Sequence, residues 1–222
     1  MIELHNITKT FNQGKENQFA ALKDISLTIE QNKITVLKGS SGSGKTTLAS
    51  LVGCMSRPTS GRIKINGRET TSLPERFLAD IRRDIFGFIF QRFNLITGIS
   101  VLENTLLPIY PMDVDTSLAK KKAIGLLEKL NIDSKIHQEV ENLSSGEQQR
   151  VAIARALINA PRFIIADEPT AHLDQNMAVK FIDIVSKLQA EGKTLLIASH
   201  DPLLYDSEIV YRVIELNDGK LV

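Results

Sequence analysis

Eight residues near the start of the chain, Gly39-Ser40-Ser41-Gly42-Ser43-Gly44-Lys45-Thr46, constrain its fold more than any other stretch. They match the phosphate-loop pattern G-x-x-x-x-G-K-[ST], and their flanks suit it. Ile34-Thr35-Val36-Leu37 ahead of them is a short apolar run fit for a buried strand, and Thr47-Leu48-Ala49-Ser50-Leu51-Val52 behind them can run as a helix. Strand, glycine loop and helix N-terminus together form an anion site. The glycines let backbone N–H groups turn inward, and the helix end adds about half a positive charge. Lys45 can then reach the β- and γ-phosphates of a nucleotide, and Thr46 can ligate Mg²⁺. A flexible Gly/Ser linker ending by chance in Lys-Thr would not carry this strand and helix around it.

The chain can build the sheet such a loop needs. With 222 residues, 42% hydrophobic and 24% charged, it has material for one large domain, or for a core plus a subdomain. A formal charge of +1 gives no basic excess for non-specific binding to nucleic acid, and none is expected as a partner. The single cysteine, Cys54, excludes an intramolecular disulfide, fits a reducing compartment, and reads as a small buried side chain on the helix after the loop. Met1-Ile2-Glu3-Leu4-His5 begins directly in strand-like alternation, without the basic and apolar regions of a leader. No stretch reaches the roughly eighteen apolar residues of a membrane span. The expectation is a cytosolic chain whose membrane role, if any, runs through a partner.

Periodicity divides the chain into three parts. Residues 1 to 38 read as an antiparallel hairpin system, with strands over Ile2 to Phe11, Ala20 to Glu30 and Lys33 to Leu37 and a polar loop from Asn12 to Gln18. Gly61 to Gly67 adds a short strand bounded by glycines. From about 72 to 160 the pattern is mostly helical, broken by a strand-like Phe86 to Gln91 and by Pro108 and Pro111. After 161 strand and helix alternate, as Phe163 to Ala166, a helix near 175 to 190, Thr194 to Ser199 and Ile209 to Leu216. That alternation predicts an α/β fold with a parallel sheet and crossover helices.

A second chemical signal is Phe163-Ile164-Ile165-Ala166-Asp167-Glu168, an apolar strand ending in two carboxylates. Such a strand places charge at the carboxyl edge of a sheet, where ligands bind in open α/β folds. Asp167 there could hold Mg²⁺, directly or through water, opposite Thr46. Glu168 could polarise a water for in-line attack on a γ-phosphate. Standing alone, the same residues would be a strand running into a solvated acidic turn before Pro169.

Leu143-Ser144-Ser145-Gly146-Glu147-Gln148-Gln149-Arg150 reads as a helix start, with Ser144 or Ser145 as N-cap, acid in the first turn, and the helix continuing through Leu157. It also resembles the Leu-Ser-Gly-Gly-Gln signature of the ATP-binding cassette (ABC) family, whose members hydrolyse ATP to drive transporters. Phosphate loop, signature and acid-ended strand follow that family's order and spacing, so the resemblance covers essentially the whole chain. It implies an ABC-type P-loop NTPase cassette: a RecA-like mixed sheet core, an N-terminal antiparallel β subdomain and an inserted α-helical subdomain. Residues 1–222 would form a single ATP-binding domain. About 1–90 and 161–222 would make the core and antiparallel β part, and about 91–160 the helical part with the signature.

The resemblance also implies roles. Gly39, Ser40, Ser41, Gly42, Ser43, Gly44, Lys45, Thr46 and Thr47 would bind ATP, and Phe11 would stack on adenine, the alternative being packing at a strand end. Thr46, Asp167 and Gln91 would hold Mg²⁺. Gln91, ending the strand Phe88-Ile89-Phe90, matches the Q-loop glutamine, which also contacts the attacking water and reports to the membrane domain. Glu168 and His200 would act with Gln91 in catalysis, His200 as the switch histidine that contacts the γ-phosphate. Ala171-His172-Leu173-Asp174 resembles the D-loop that crosses the dimer interface, Asp174 reading otherwise as the N-cap of the next helix. His5, His137 and His172 carry no such role, and no metal-ligand spacing links the histidines.

Two positions depart from the family pattern. Ser145 stands where the first signature glycine usually is, and Glu147 replaces the usual glutamine. The signature acts through Ser144, backbone N–H groups and the helix N-terminus, aimed at the γ-phosphate bound by the opposite subunit. Serine loses glycine's freedom, which matters only if φ is positive there. Glu147 is unfavourable beside a phosphate if it points inward and favourable to the helix dipole if it points out. Hydrolysis is expected to survive both changes.

The implied mechanism is a composite site in an ATP-dependent homodimer. One subunit supplies Lys45, Thr46, Asp167, Glu168, Gln91 and His200, and the other closes the site with Ser144 and Gly146. Closure by ATP and reopening after hydrolysis would drive integral membrane permease subunits, which hold the chain, cytoplasmic and peripheral, at the inner face of the cell membrane. Within the family, Phe86 to Leu95 followed by Val101-Leu102-Glu103-Asn104 and Leu107-Pro108 resembles the lipoprotein-releasing and macrolide-exporting branch, of the LolD and MacB kind. That implies export or extrusion of lipoprotein, peptide or antibiotic. Phe93, Leu95 and Ile96 could line the groove for a cytoplasmic coupling helix or could simply pack the helical part. The alternatives are a soluble ABC ATPase acting on DNA or ribosomes, whose coiled coils, zinc modules or second cassette are missing here, and a regulatory subunit that scarcely hydrolyses.

Overall fold

The computed structural model describes all 222 residues. β1 (Ile2–Phe11) turns Ile2, Leu4 and Ile7 inward, the step from even to odd numbering being made at a bulge where Asn6 takes φ 50°. β2 (Phe19–Ile29) pairs with it antiparallel. β3 (Ile34–Lys38) runs into the phosphate loop and α1 (Lys45–Val52). β4 (Ser60–Ile65) and β5 (Arg68–Glu69) return to the first sheet, whose order is β2-β1-β4-β5. α2 (Glu75–Ile85) leads to β6 (Phe86–Ile89). The helical insert follows: α3 (Val101–Leu106), a 3-10 turn over Leu107–Ile109, α4 (Thr116–Lys129), further 3-10 turns over Asp133–Lys135 and Val140–Asn142, then α5 (Ser145–Leu157). β7 (Phe163–Asp167), α6 (Gln175–Ala190), β8 (Thr194–Ala198), α7 (Pro202–Tyr205) and the hairpin β9 (Arg212–Asn217) and β10 (Lys220–Leu221) complete the chain.

The second sheet has the order β10-β9-β3-β8-β7-β6, parallel throughout except for β10. Its inner strands β3, β8 and β7, and β6 beside them, are buried on both faces, while β9 is exposed on one side and β10 is exposed. Ile34, Val36, Ile164, Ala166, Leu195 and Ile197 join a core with Val151, Ile153 and Phe181, from α5 and α6. Leu37, Phe163, Ile165, Leu196 and Ala198 face the other way, onto α1 and the antiparallel sheet. Period-2 alternation here separates two cores rather than core from water, which is why these strands read as unbroken apolar runs.

The structure corrects several sequence expectations. β3 is not the third strand of an antiparallel hairpin system; it lies at the centre of the parallel sheet between β9 and β8. Its doubly buried run belongs to a crossover sheet, whereas β1 and β2 have mixed burial. Cys54 is buried but lies beyond the end of α1, with φ 58°, and burial raises its thiol pKa. The last long strand starts at Arg212 rather than Ile209, because Asp201 caps the short α7 and a turn closes from Val210 N–H to the Ser207 carbonyl. No helix is long and apolar enough to cross a membrane.

Candidate functional site

Sheet order assembles the site. β3, β8, β7 and β6 are parallel neighbours, so Gly39, His200, Glu168 and Gln91 all leave the sheet at its carboxyl edge. The loop after β3 has no room for side chains at its two ends. A Cβ on Gly39 would sit 2.3 Å from the Leu216 carbonyl oxygen, and one on Gly44, at φ 107°, would sit 2.8 Å from the Ala21 carbonyl oxygen. β2 and the C-terminal hairpin thus press directly on the loop, and Gly219 N–H donates to the Ser43 carbonyl at 3.1 Å.

The interior of the loop fits phosphate. The first helical bond of α1 runs from Leu48 N–H to Gly44 O at 2.8 Å, leaving the preceding N–H groups free of the helix. No side chain caps α1 and no acid lies in its first turn. Ser43 Oγ is buried without a partner. Lys45, only 5% exposed, donates its ammonium protons to the carbonyls of Gly39 at 2.7 Å and Ser40 at 3.0 Å. An orphaned hydroxyl, unpaired N–H groups and a buried cation resting on backbone carbonyls form an anion cradle.

β7 brings the carboxylates against it. Thr46 Oγ1 donates to Asp167 Oδ1 at 3.0 Å. Burial pushes the Asp167 carboxyl above its ordinary range, opposed by that Thr46 bond; Glu168 adds to the rise and Lys45 works against it. Glu168 Oε1 lies 3.4 Å from Lys45 Nζ, and Oε2 lies 2.8 Å from His200 Nδ1 and accepts from His200 N–H at 3.3 Å. Its backbone is left-handed, φ 45°, anchored by Glu168 N–H to Ala198 O at 2.8 Å. No group of three or more His, Cys, Asp and Glu could hold a metal alone. One threonine hydroxyl and one carboxylate suit Mg²⁺, which keeps waters and takes oxygens from bound phosphate.

The other residues singled out from the sequence are placed less centrally. Gln91 does not end a strand: β6 stops at Ile89, and Gln91 is exposed in the following turn. Phe11 closes β1 half-exposed and stacked on Phe19, ring centroids 5.3 Å apart, with Lys9 Nζ 5.0 Å from its centroid. Thr47 is the third residue of α1. Asp174 caps α6, accepting from Met177 N–H at 2.9 Å. Phe93 is buried and Leu95 packs into the core around β7, leaving Ile96 as the exposed member of that trio.

Ser144, not Ser145, is the N-cap of α5. Ser145 is absent from the positive-φ positions, so glycine's freedom is not needed there. Gly146 is buried against Met177, whose Cε would lie 2.8 Å from an added Cβ. Glu147 folds back on its own helix end: Oε2 accepts from Ser144 N–H at 2.9 Å and Ser144 Oγ–H at 2.8 Å, while Oε1 meets Lys135 Nζ at 2.6 Å. These contacts, led by Lys135, hold the Glu147 carboxyl at about 2. No hydrogen bond or ion pair joins these residues to the phosphate loop of the same chain.

Several supporting residues escape a sequence reading. Arg155 donates to the Phe93 and Asn94 carbonyls, and the fully buried Asn104 bonds Ile96 N–H at 2.8 Å and Ile96 O at 2.9 Å, together fixing the segment after Gln91. Gln149 Nε2 donates to Pro169 O at 2.7 Å, tying α5 to the turn after Glu168. The available signal was a polar residue inside an otherwise apolar helix face, Arg155 within Val151–Leu157.

Comparison with known proteins adds lineage to this geometry. A family model described as ABC transporter matches residues 22–171. The chain is 41% identical over its full length to the macrolide export ATP-binding/permease protein MacB of Hyphomonas neptunium, covering 34% of that protein. It is 40% identical to the MacB of Acinetobacter baylyi, covering 33%. It therefore spans about a third of the length of these relatives. Among solved structures, the dimeric bacterial ABC transporter cassette MJ0796 superposes with TM-score 0.90 at 38% identity, over 100% of this chain and 96% of that one. The same cassette is also known as a dimer in a post-hydrolysis state bound to ADP and Pi, again with TM-score 0.90.

Proposed function

The chain belongs to the ABC transporter family, and from that premise we propose that it is the ATP-hydrolysing cassette of an exporter, paired as a homodimer and attached to membrane-spanning permease partners. The observation that carries this reading is the Glu168 carboxylate held between Lys45 and His200, one residue after Asp167 meets Thr46. Incoming phosphates compete with the Gly39 and Ser40 carbonyls for Lys45 and draw its charge away from Glu168. Glu168, oriented by His200, is then placed to take a proton from the attacking water. Thr46 and Asp167, with Gln91 from the turn after β6, would hold Mg²⁺, which when bound neutralises charge on the transferring phosphate. Phe11 offers its exposed face to adenine. Ser144 and Gly146, with no phosphate site in their own chain, would close the site of a second copy, with Asp174 beside that interface.

Two dimeric structures of a 38% identical cassette, one of them bound to ADP and Pi, support the pairing and the hydrolysis. Permease attachment is supported by relatives named ATP-binding/permease proteins. A cleft of about 420 Å³ lined by Met55, Phe86, Phe88, Phe90, Pro108 and Pro111, beside the Gln91 turn, is the surface on which an apolar permease segment would dock. Such a chain works in the cytoplasm, peripheral to the membrane, with macrolides, lipoproteins or peptides as candidate cargo. A regulatory, non-hydrolysing role gains nothing from Ser145, which is ordinary helix. Glu168→Gln is expected to lower steady-state ATP hydrolysis about a hundredfold or more and to leave a dimer that ATP stabilises in light scattering. A wild-type chain that binds ATP yet neither hydrolyses it nor dimerises, with its permease present, overturns the reading.

A further inference from the structure

The α5 N-terminus is filled by the chain's own carboxylate. Glu147 takes both Ser144 protons on one oxygen and Lys135 on the other. A phosphate arriving from a second copy therefore meets a hydroxyl whose proton is committed elsewhere, next to a negative charge. Capping does not require the cation. α3 carries the same Ser-x-x-Glu device, with Ser100 N–H and Oγ–H donating to Glu103 Oε2 at 2.8 and 2.6 Å, and Glu103 has no ion-pair partner. Lys135 is thus an addition specific to the signature. It is delivered from a fixed backbone, since Lys135 N–H donates to Ile132 O at 3.1 Å and Gln138 N–H to Lys135 O at 2.9 Å. Glu147 is its only ion-pair partner.

We propose that Lys135 is a positioning residue for the signature: its ammonium holds and neutralises Glu147, so that Ser144 and the first N–H groups of α5 can receive the γ-phosphate bound by a second copy. The proposal rests on the composite-site reading given above. Glu147 in place of glutamine puts an anion where a phosphate must approach, and Lys135 is the countercharge that makes this acceptable. The low Glu147 pKa agrees, because the acid stays ionised and paired throughout the physiological range.

The test uses the full chain carrying Glu168→Gln, which traps the ATP dimer, with light scattering against ATP concentration. Lys135→Met should raise the ATP concentration for half-maximal dimerisation about tenfold, while binding of a fluorescent ATP analogue to the monomer and the thermal midpoint change little. Lys135→Arg should restore dimerisation. Adding Glu147→Gln to Lys135→Met should bring it within about threefold of Glu147→Gln alone, because the charge needing compensation is gone. If Lys135→Met dimerises like its parent, the proposal fails. If Glu147→Gln gives no rescue, Lys135 is only a brace for its turn and the proposal fails too. Should Lys135→Met misfold, Lys135→Arg and the double variant still decide. A parent that does not dimerise with ATP indicts the composite-site reading itself and takes the proposal with it.

Discussion

α1 and α5 both begin at a glycine- and serine-rich turn, and both present a helix N-terminus to the outside, yet the two ends are finished in opposite ways. α1 follows Gly44 at its N-cap position, has no side-chain cap and no acid in its first turn, and leaves a buried serine hydroxyl unpaired beneath it. α5 follows Ser144 as its N-cap, and the third residue of the helix, Glu147, folds back to satisfy the end, backed by a lysine from outside the helix. Thr47 and Glu147 occupy the same third position in their helices. One end is bare and offers its N–H groups outward; the other is already satisfied by its own chain. An open end favours tight binding by a single chain, and a self-satisfied end favours binding only when a second surface brings enough phosphate charge to compete.

Making the α1 end resemble the α5 end should have the largest effect. Thr47→Glu puts a carboxylate at the mouth of the phosphate loop, and a like charge about 4 Å from phosphate in a partly screened site should weaken ATP binding about a hundredfold, read by calorimetric titration. A smaller effect is expected from cutting the strap between α5 and the turn after Glu168. Gln149→Leu leaves the Pro169 carbonyl unpaired in a buried place and should cost about 1–3 kcal/mol in urea unfolding. The smallest effect concerns pH. Because the folded Glu147 carboxyl is depressed from 4.5 to about 2, its contribution to stability is fully present above pH 4.5 and is lost as pH falls toward 2. A carbon-13 titration of Glu147 should show its midpoint at about 2, moving upward in Lys135→Met. A midpoint that stays put in that variant would mean that the Ser144 bonds alone account for the shift.

What the sequence made legible follows from how local each signal is. The phosphate loop, the acid-ended strand over Phe163–Asp167 and the helix over Gln175–Ala190 are written in consecutive residues, and each lies where its pattern puts it. β3 was recognisable as a strand from Ile34 to Leu37, but its partners were not, since pairing with Leu195–Ala198 and Arg212–Glu215 is a property of the whole sheet. The orientation of Glu147 could be framed only as two alternatives. Lys135, which decides it, lies in a 3-10 turn outside the helix and its periodicity. For Phe93 and Leu95 the sequence left a partner groove and ordinary packing both open, because apolar residues in a loop read alike whether buried or not; Arg155 and Asn104 pull their segment onto the core.

Glu168 sits in the left-handed region at φ 45° and directly before Pro169, a conformation that costs a non-glycine residue about 1–2 kcal/mol. Glycine would relax that strain but would leave the buried Lys45 ammonium without its carboxylate and His200 without its partner. Strain is therefore stored at the residue proposed to perform the chemistry, held there by the same contacts that aim its carboxylate. A search for thermostable variants of this chain should pass over this backbone position, because relaxing it exchanges local strain for an unpaired buried charge and an inert protein.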